Sequence, residues 1–78
     1  MLLFSDNDLA AIQTAIDGRF RIEMTRIYKD LTVKVTTARA SPAWRPWLWI
    51  ARLEIWRGPV YSTRWCVSSE EVRRYASE

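Results

Sequence analysis

The segment Trp47 to Trp56 alternates between two kinds of residue, and this pattern constrains the fold more than any other feature. Its odd positions hold only apolar residues, and its even positions mix apolar residues with Arg52 and Glu54. Successive side chains of a β-strand point to opposite faces of a sheet. The segment therefore predicts a central strand with one sealed face and one mixed face.

Three further segments predict strands, and short turn signals separate them. Polar and apolar residues alternate over 19–28, 31–39 and 60–67. Lys29-Asp30 and Arg57-Gly58-Pro59 are typical of turns, and the two prolines within 40–46 indicate a loop. The first segment leaves an alternative open, because its apolar residues also fit a helical stripe: Phe20, Met24, Ile27 and Leu31.

Helices are predicted at both ends of the chain. Ser5 can accept a hydrogen bond from the first turn of a helix over 6–17, and Gly18 is the predicted stop. Ser68 to Glu71 reads as a capping box that starts a second helix. The predicted fold is α+β: a small single domain spanning 1–78, with an antiparallel sheet of three to four strands and both helices packed on one face, in the order α-β-β-β-β-α.

Four of the five tryptophans lie within 41–58, and we divide all five into two groups. The expected core joins three of them to the first helix: Trp47, Trp49 and Trp65 with Leu9, Ile12 and Ile16. Trp44 lies in the proline-flanked loop and Trp56 on the mixed face. Exposed Trp beside Arg is the composition that binding hot spots favour, so we expect these two to serve binding.

Charge is segregated along the chain, although the net charge is only +3. Residues 19–64 carry ten basic residues against three acidic ones, and both ends are acidic. On a sheet of adjacent strands, the basic residues predicted to share the outer face are Arg21, Lys34, Arg52 and Arg64. Two interpretations stay open: a face that binds a ligand, or a solvated face whose Arg residues pair with Glu23 or Glu54 across the strands.

Several function classes are disfavoured by what the sequence lacks. It has one cysteine, Cys66, and no histidine, so neither a disulfide within the chain nor a zinc site is expected. No nucleophile is spaced to meet an activating base. We predict no enzyme activity, no catalytic residue, no cofactor and no metal site. No apolar run is long enough for a membrane span, and we expect a cytoplasmic protein.

The first functional hypothesis is a small protein-binding module. The candidate partner-binding residues combine Trp and basic side chains: Trp44, Arg45, Arg52, Trp56, Arg57, Arg64, Arg21 and Lys34. In size and style alone, such a chain is similar to inhibitors that phages and mobile elements encode, anti-CRISPR proteins among them. A homodimer is also compatible with the sequence, because Leu48, Ile50 and Trp56 would form an apolar patch on the sheet.

The alternative hypothesis is a nucleic-acid-binding module. Its ligand would contact the basic segment 19–64, with phosphates meeting Arg and bases stacking on rings. The two hypotheses differ in their expected dependence on salt. Phosphate binding weakens steeply as the salt concentration rises.

Overall fold

A computed structural model describes residues 4–40 and 48–76. Two helices flank four strands: α1 (Asp6–Gly18), β1 (Glu23–Tyr28), β2 (Leu31–Arg39), β3 (Trp49–Arg57), β4 (Val60–Cys66) and α2 (Ser69–Ala76). The strands form one antiparallel sheet in the order β1-β2-β3-β4. The predicted α+β fold with the order α-β-β-β-β-α is confirmed.

Short turns connect the outer pairs of strands and fix their register. Tyr28 faces Leu31 across the Lys29-Asp30 turn. Arg57 faces Val60 across Gly58-Pro59. The two turns also contact each other, because the Gly58 N–H donates to the Asp30 carbonyl oxygen at 3.1 Å. The sequence predicted both turns.

Helix α1 begins as predicted and ends differently. Ser5 and Asp8 form a capping box, in which each side chain accepts from the backbone N–H of the other. Gly18 is still helical, and Arg19 adopts the left-handed conformation at φ 58° and ψ 51°. The predicted end of the helix is therefore one residue early: Gly18 is the last helical residue, and Arg19 takes the left-handed position that was expected of glycine. A Cβ at Gly18 would lie 2.8 Å from the Phe20 ring, so its missing side chain makes room for that ring.

The first strand is shorter than the sequence predicted. Arg19 to Ile22 form the link from α1, in which the Phe20 N–H donates to the Ala15 carbonyl oxygen at 3.1 Å. Thr37 of β2 fixes this link, because its hydroxyl donates to the Phe20 carbonyl and accepts from the Ile22 N–H. The strand begins only at Glu23, and the helical alternative for this region is wrong.

Both helices pack on one face of the sheet, which we call the helix-covered face. Its core joins Phe4, which precedes α1, to residues of α1, α2 and three strands: Leu9, Ile12, Ile16, Val33, Val35, Ala51, Leu53, Ile55, Cys66, Val72 and Ala76. The expected α1 residues of the core are confirmed. Apolar burial drives this packing, and Leu53 at the centre of β3 has no exposed surface.

The expected tryptophan core is wrong for Trp65 and only partly met by Trp49. Trp65 is 58% exposed and lies on the other face of the sheet. Trp49 is only half-buried, and Trp47 lies outside the described residues. Aliphatic residues of β2 and β3 fill the space instead, and Phe4, which the sequence pattern did not indicate, is 3% exposed.

An ion pair ties α1 to the first edge strand. The Arg26 guanidinium lies 2.8 Å from the Asp8 carboxylate. Burial acts to raise the pKa of Asp8, but the Ser5 N–H and the Arg26 guanidinium outweigh it and hold the pKa below its ordinary value. Asp8 therefore serves both as a helix cap and as a contact with β1.

Candidate functional site

The face of the sheet opposite the helices carries the candidate site, and we call it the open face. The register and the alternation of the strands assign these residues to it: Glu23, Thr25, Ile27, Thr32, Lys34, Thr36, Ala38, Ile50, Arg52, Glu54, Trp56, Tyr61, Thr63 and Trp65. Neither helix packs against it. Its centre, on β2 and β3, is nevertheless well buried by neighbouring side chains, with Thr36 and Glu54 at 5% and 9% exposure.

Trp65 is a large exposed side chain of the open face, and it borders two depressions. The more polar of the two, about 200 Å³ in volume, is lined by Arg21, Thr36, Ala38, Arg52 and Trp65. The other is apolar, about 350 Å³ in volume, and is lined by Ala40, Leu48, Ile50, Trp65 and Val67. The indole therefore lies between a surface suited to polar groups and a surface suited to an apolar side chain.

The polar depression contains a cation and an unsatisfied hydroxyl. The guanidinium of Arg52 lies over the Trp65 ring, 5.9 Å from its centroid. The Thr36 hydroxyl is buried and finds no hydrogen-bond partner within residues 4–40 and 48–76. A buried polar group without a partner costs free energy, so a ligand that reached Thr36 would relieve that cost.

Glu54 organises the part of the open face nearest the β3–β4 turn. Its Oε2 accepts from the Tyr61 hydroxyl at 2.9 Å, and its Oε1 lies 3.4 Å from the Arg52 guanidinium. Tyr61 in turn packs against Trp56, with ring centroids 5.1 Å apart and planes tilted by 45°. Trp56 is consequently half-buried by its neighbour, which leaves Trp65 as the more exposed indole.

The basic residues of the open face are matched by acidic ones. Glu23 lies 3.7 Å from Arg21 and 3.6 Å from Lys34, and Glu54 is the partner of Arg52. The two pairs of Glu23 are exposed and contribute little to stability, typically below about 1 kcal/mol. They do, however, reduce the positive potential that this face presents.

The structure brings only some of the predicted site residues together. Arg21, Lys34, Arg52 and Trp56 share the open face or its border. Arg64 does not, because it faces Leu53 in register and its guanidinium lies 4.5 Å from the Tyr75 ring centroid of α2. Its prediction on the outer face is wrong.

Three more predicted positions need correction or lie beyond what is described. Arg57 was expected in the turn after the third strand, but it is the last residue of β3. Arg57 faces Leu31 and Val60, so it projects on the helix side of the sheet. Trp44 and Arg45 lie outside the described residues.

Sequence reasoning missed Trp65 as an open-face residue, although a signal for it was present. Odd positions of β3 point inward, and the two-residue turn at Gly58-Pro59 sets Arg57 opposite Val60. Even positions of β4 must therefore point inward with them, and Tyr61 and Trp65 must point outward. The turn length outweighs the hydrophobicity of the indole.

Other kinds of site find no support among the described residues. Across 4–40 and 48–76, no group of three or more His, Cys, Asp or Glu side chains is placed to hold a metal ion. Cys66 is buried, and burial, with a smaller effect of the Glu71 carboxylate, raises its pKa to about 11 despite the opposing charge of Arg64. None of the helices in this part of the chain has the length and apolarity to span a bilayer.

Comparison of the chain with protein-family models, with curated proteins and with solved structures finds no match in any of the three.

Proposed function

We propose that this chain is a protein-binding module whose open face receives the partner around Trp65. The carrying observation is that Trp65 is 58% exposed between a polar and an apolar depression. Large aromatic side chains with a neighbouring Arg dominate the binding energy of many protein interfaces. Trp65 with Arg52 has this composition.

Charge favours a protein partner over a nucleic acid. The three basic residues of this region face two carboxylates, and Arg64 lies on the opposite side of the sheet. Binding to a phosphate backbone needs cations that neutralise successive phosphates. A nearly balanced surface with an apolar depression suits a protein surface that presents one apolar side chain and a few polar groups.

The test is affinity capture from a lysate of the native host, with and without nuclease. We expect the wild-type chain to retain the same protein after nuclease treatment and in 0.5 M salt, about the level at which phosphate contacts are largely lost. Trp65→Ala should abolish capture. The matched control is Ile27→Ala, which removes an apolar side chain that is 78% exposed at the far end of the same face. Ile27→Ala should capture as well as the wild type.

A direct binding series separates the alternative. Fluorescence anisotropy of a labelled single-stranded oligonucleotide, titrated with the chain at low salt, should show no binding. Binding that weakens steeply with salt and is reduced by Arg52→Ala would instead support the nucleic-acid hypothesis. Capture that survives in Trp65→Ala would contradict the placement of the partner on the open face.

A further inference from the structure

The two outer strands of the sheet differ in how their exposed backbone is protected. On β1, the Arg26 guanidinium donates to the Thr25 carbonyl oxygen at 2.9 Å, and Glu23 adds a second charge to the strand. On β4 the single charged residue is Arg64, which lies over Tyr75. Proteins commonly protect edge strands with charges against pairing with other chains. The β4 edge has little of this protection.

The backbone groups of β4 alternate between β3 and the outer edge. The Ala40 N–H donates to the Leu48 carbonyl oxygen at 2.8 Å, so these facing residues form a hydrogen-bonded pair of the β2–β3 ladder. Hydrogen-bonded pairs alternate along an antiparallel ladder. The N–H and C=O groups of even-numbered residues of β3 therefore point to β2, and those of odd-numbered residues point to β4. Their partners on β4 are even-numbered, as Ser62 and Arg64 are. The outward-directed N–H and C=O groups belong to the odd-numbered residues Tyr61, Thr63 and Trp65.

Both ends of this outward-directed stretch are closed to further pairing. At one end, the Val67 N–H donates to the Glu71 carboxylate at 2.8 Å. At the other end, Pro59 has no N–H to donate. Within residues 4–40 and 48–76, the available edge is therefore a short segment with Thr63 at its centre, one outward residue on each side of it.

We propose that the β4 edge pairs with the β4 edge of a second copy of this chain, antiparallel and across a two-fold axis at Thr63. Thr63 then faces Thr63 of the second copy, and Tyr61 faces Trp65 of the second copy in both directions. Each of these facing pairs can exchange both of its N–H···O bonds, because all of the residues direct their backbone outward. The two sheets become one sheet of eight strands.

Side chains agree with this register. On the open face, each Tyr61 meets a Trp65, and aromatic cross-strand pairs stabilise antiparallel sheets. On the helix side, Arg64 faces Ser62 of the second copy, so no like charges are directly opposed. An axis at Tyr61 or Trp65 would set Thr63 against Pro59 or against the occupied Val67 N–H. Only the register centred on Thr63 pairs all of the outward-directed backbone N–H and C=O groups.

This inference does not rest on the partner proposed above. Pairing at β4 joins two open faces edge to edge. Trp65 then contacts Tyr61 of the second copy on its outer side, whereas most other lining residues of both depressions lie on its inner side, on β2, β3 and the segments next to them. A dimeric chain would therefore present two copies of the candidate site on one continuous surface.

Sedimentation equilibrium of the wild type, Thr63→Lys and Thr63→Glu tests the proposal. We expect the wild type to reach twice its mass of 9.2 kDa. Each charged variant should remain at the monomer mass, because like charges meet at the axis. An equimolar mixture of the two should restore the dimer mass, because opposite charges then face each other. The matched control, Thr25→Lys, places the same charge on the open face of β1 and should leave the dimer intact.

A proline variant provides an independent check of the edge. Thr63→Pro removes an N–H that points outward, so it should spare the β3–β4 pairing and the circular-dichroism spectrum while abolishing the dimer. A wild-type chain that stays monomeric at millimolar concentration overturns the proposal. So does a charged variant that remains dimeric. Either result leaves the Trp65→Ala capture experiment to be decided separately.

Discussion

The two faces of the sheet use the same strands for different purposes. On β3, Leu53 is completely buried under the helices, and its neighbour Arg52 is exposed beside Trp65. A domain of this size buries only about 60% of its unfolded surface. Stability must therefore come mainly from the helix-covered face, and the exposed residues of the open face, such as Trp65, can vary for recognition at little cost to folding.

The difference in stability between the two faces is tested most strongly by truncating one large side chain on each of them. Leu53→Ala leaves a cavity in the core and should lower the free energy of unfolding by about 2–5 kcal/mol. Trp65→Ala removes a larger but exposed side chain and should change it by less than about 1 kcal/mol. Urea unfolding followed by circular dichroism measures both values. Equal losses would mean that the open face acts as a second core.

Cys66 gives a chemical measure of the protection on the helix-covered face. Burial raises the pKa of its thiol from 9.0 to about 11, so at pH 8 the reactive thiolate is about 100-fold less populated than in an ordinary cysteine. We expect a disulfide reagent to label the folded chain at least 100-fold more slowly than the urea-unfolded chain. Labelling at similar rates would show that the helices do not cover this end of β4.

The same pKa predicts how stability depends on alkaline pH. The folded state holds the thiol proton more tightly than the unfolded state, so this contribution to stability is fully present below about pH 9. It is lost as pH rises toward the folded pKa of about 11. The matched variant Cys66→Ala should lack this loss while keeping the rest of the pH profile.

The helix-covered face was largely predictable from the sequence, and the open face only in part. The alternation over 31–39 gave the bounds of β2 correctly, and the spacing of Leu9, Ile12 and Ile16 gave the buried stripe of α1. These patterns repeat with the period of their secondary structure, so a single sequence carries them. Burial on one face requires such repetition.

The errors have a common physical cause: the orientation of each misplaced residue is set by the geometry of an adjoining turn or junction. Trp65 was assigned to the core by its hydrophobicity, whereas the turn at Gly58-Pro59 sets its register and turns it outward. Arg64 was misplaced for the same reason. The left-handed Arg19 and the buried Phe4 follow from how the chain leaves and enters α1, and no periodic pattern reports such junctions.

A smaller effect should sharpen the description of the open face. Tyr61→Phe removes the hydrogen bond to the Glu54 carboxylate, which is 9% exposed and has few other partners. We expect a loss of about 1–2 kcal/mol, because a buried acceptor is left underpaired. A double-mutant cycle with Glu54→Ala, measured by urea unfolding, isolates this interaction. Strictly additive losses would show that the two side chains do not interact in solution.

The smallest expected effect concerns the junction between α1 and β1, which begins at Arg19. Among residues 4–40 and 48–76, Arg19 is the one non-glycine residue with a positive φ. This conformation costs an L-residue about 1 kcal/mol. Arg19→Gly removes this strain, but glycine also has more conformational entropy in the unfolded chain, which offsets part of the gain. We therefore expect the free energy of unfolding to rise by only about 0.5 kcal/mol. Gly58→Ala is the matched opposite: φ is 57° there and open space surrounds a new Cβ. It should lose about 1 kcal/mol from backbone conformation alone. If Arg19→Gly also destabilises the chain, side-chain contacts of Arg19 outweigh its backbone strain, and the junction contributes to the helix-covered face through those contacts.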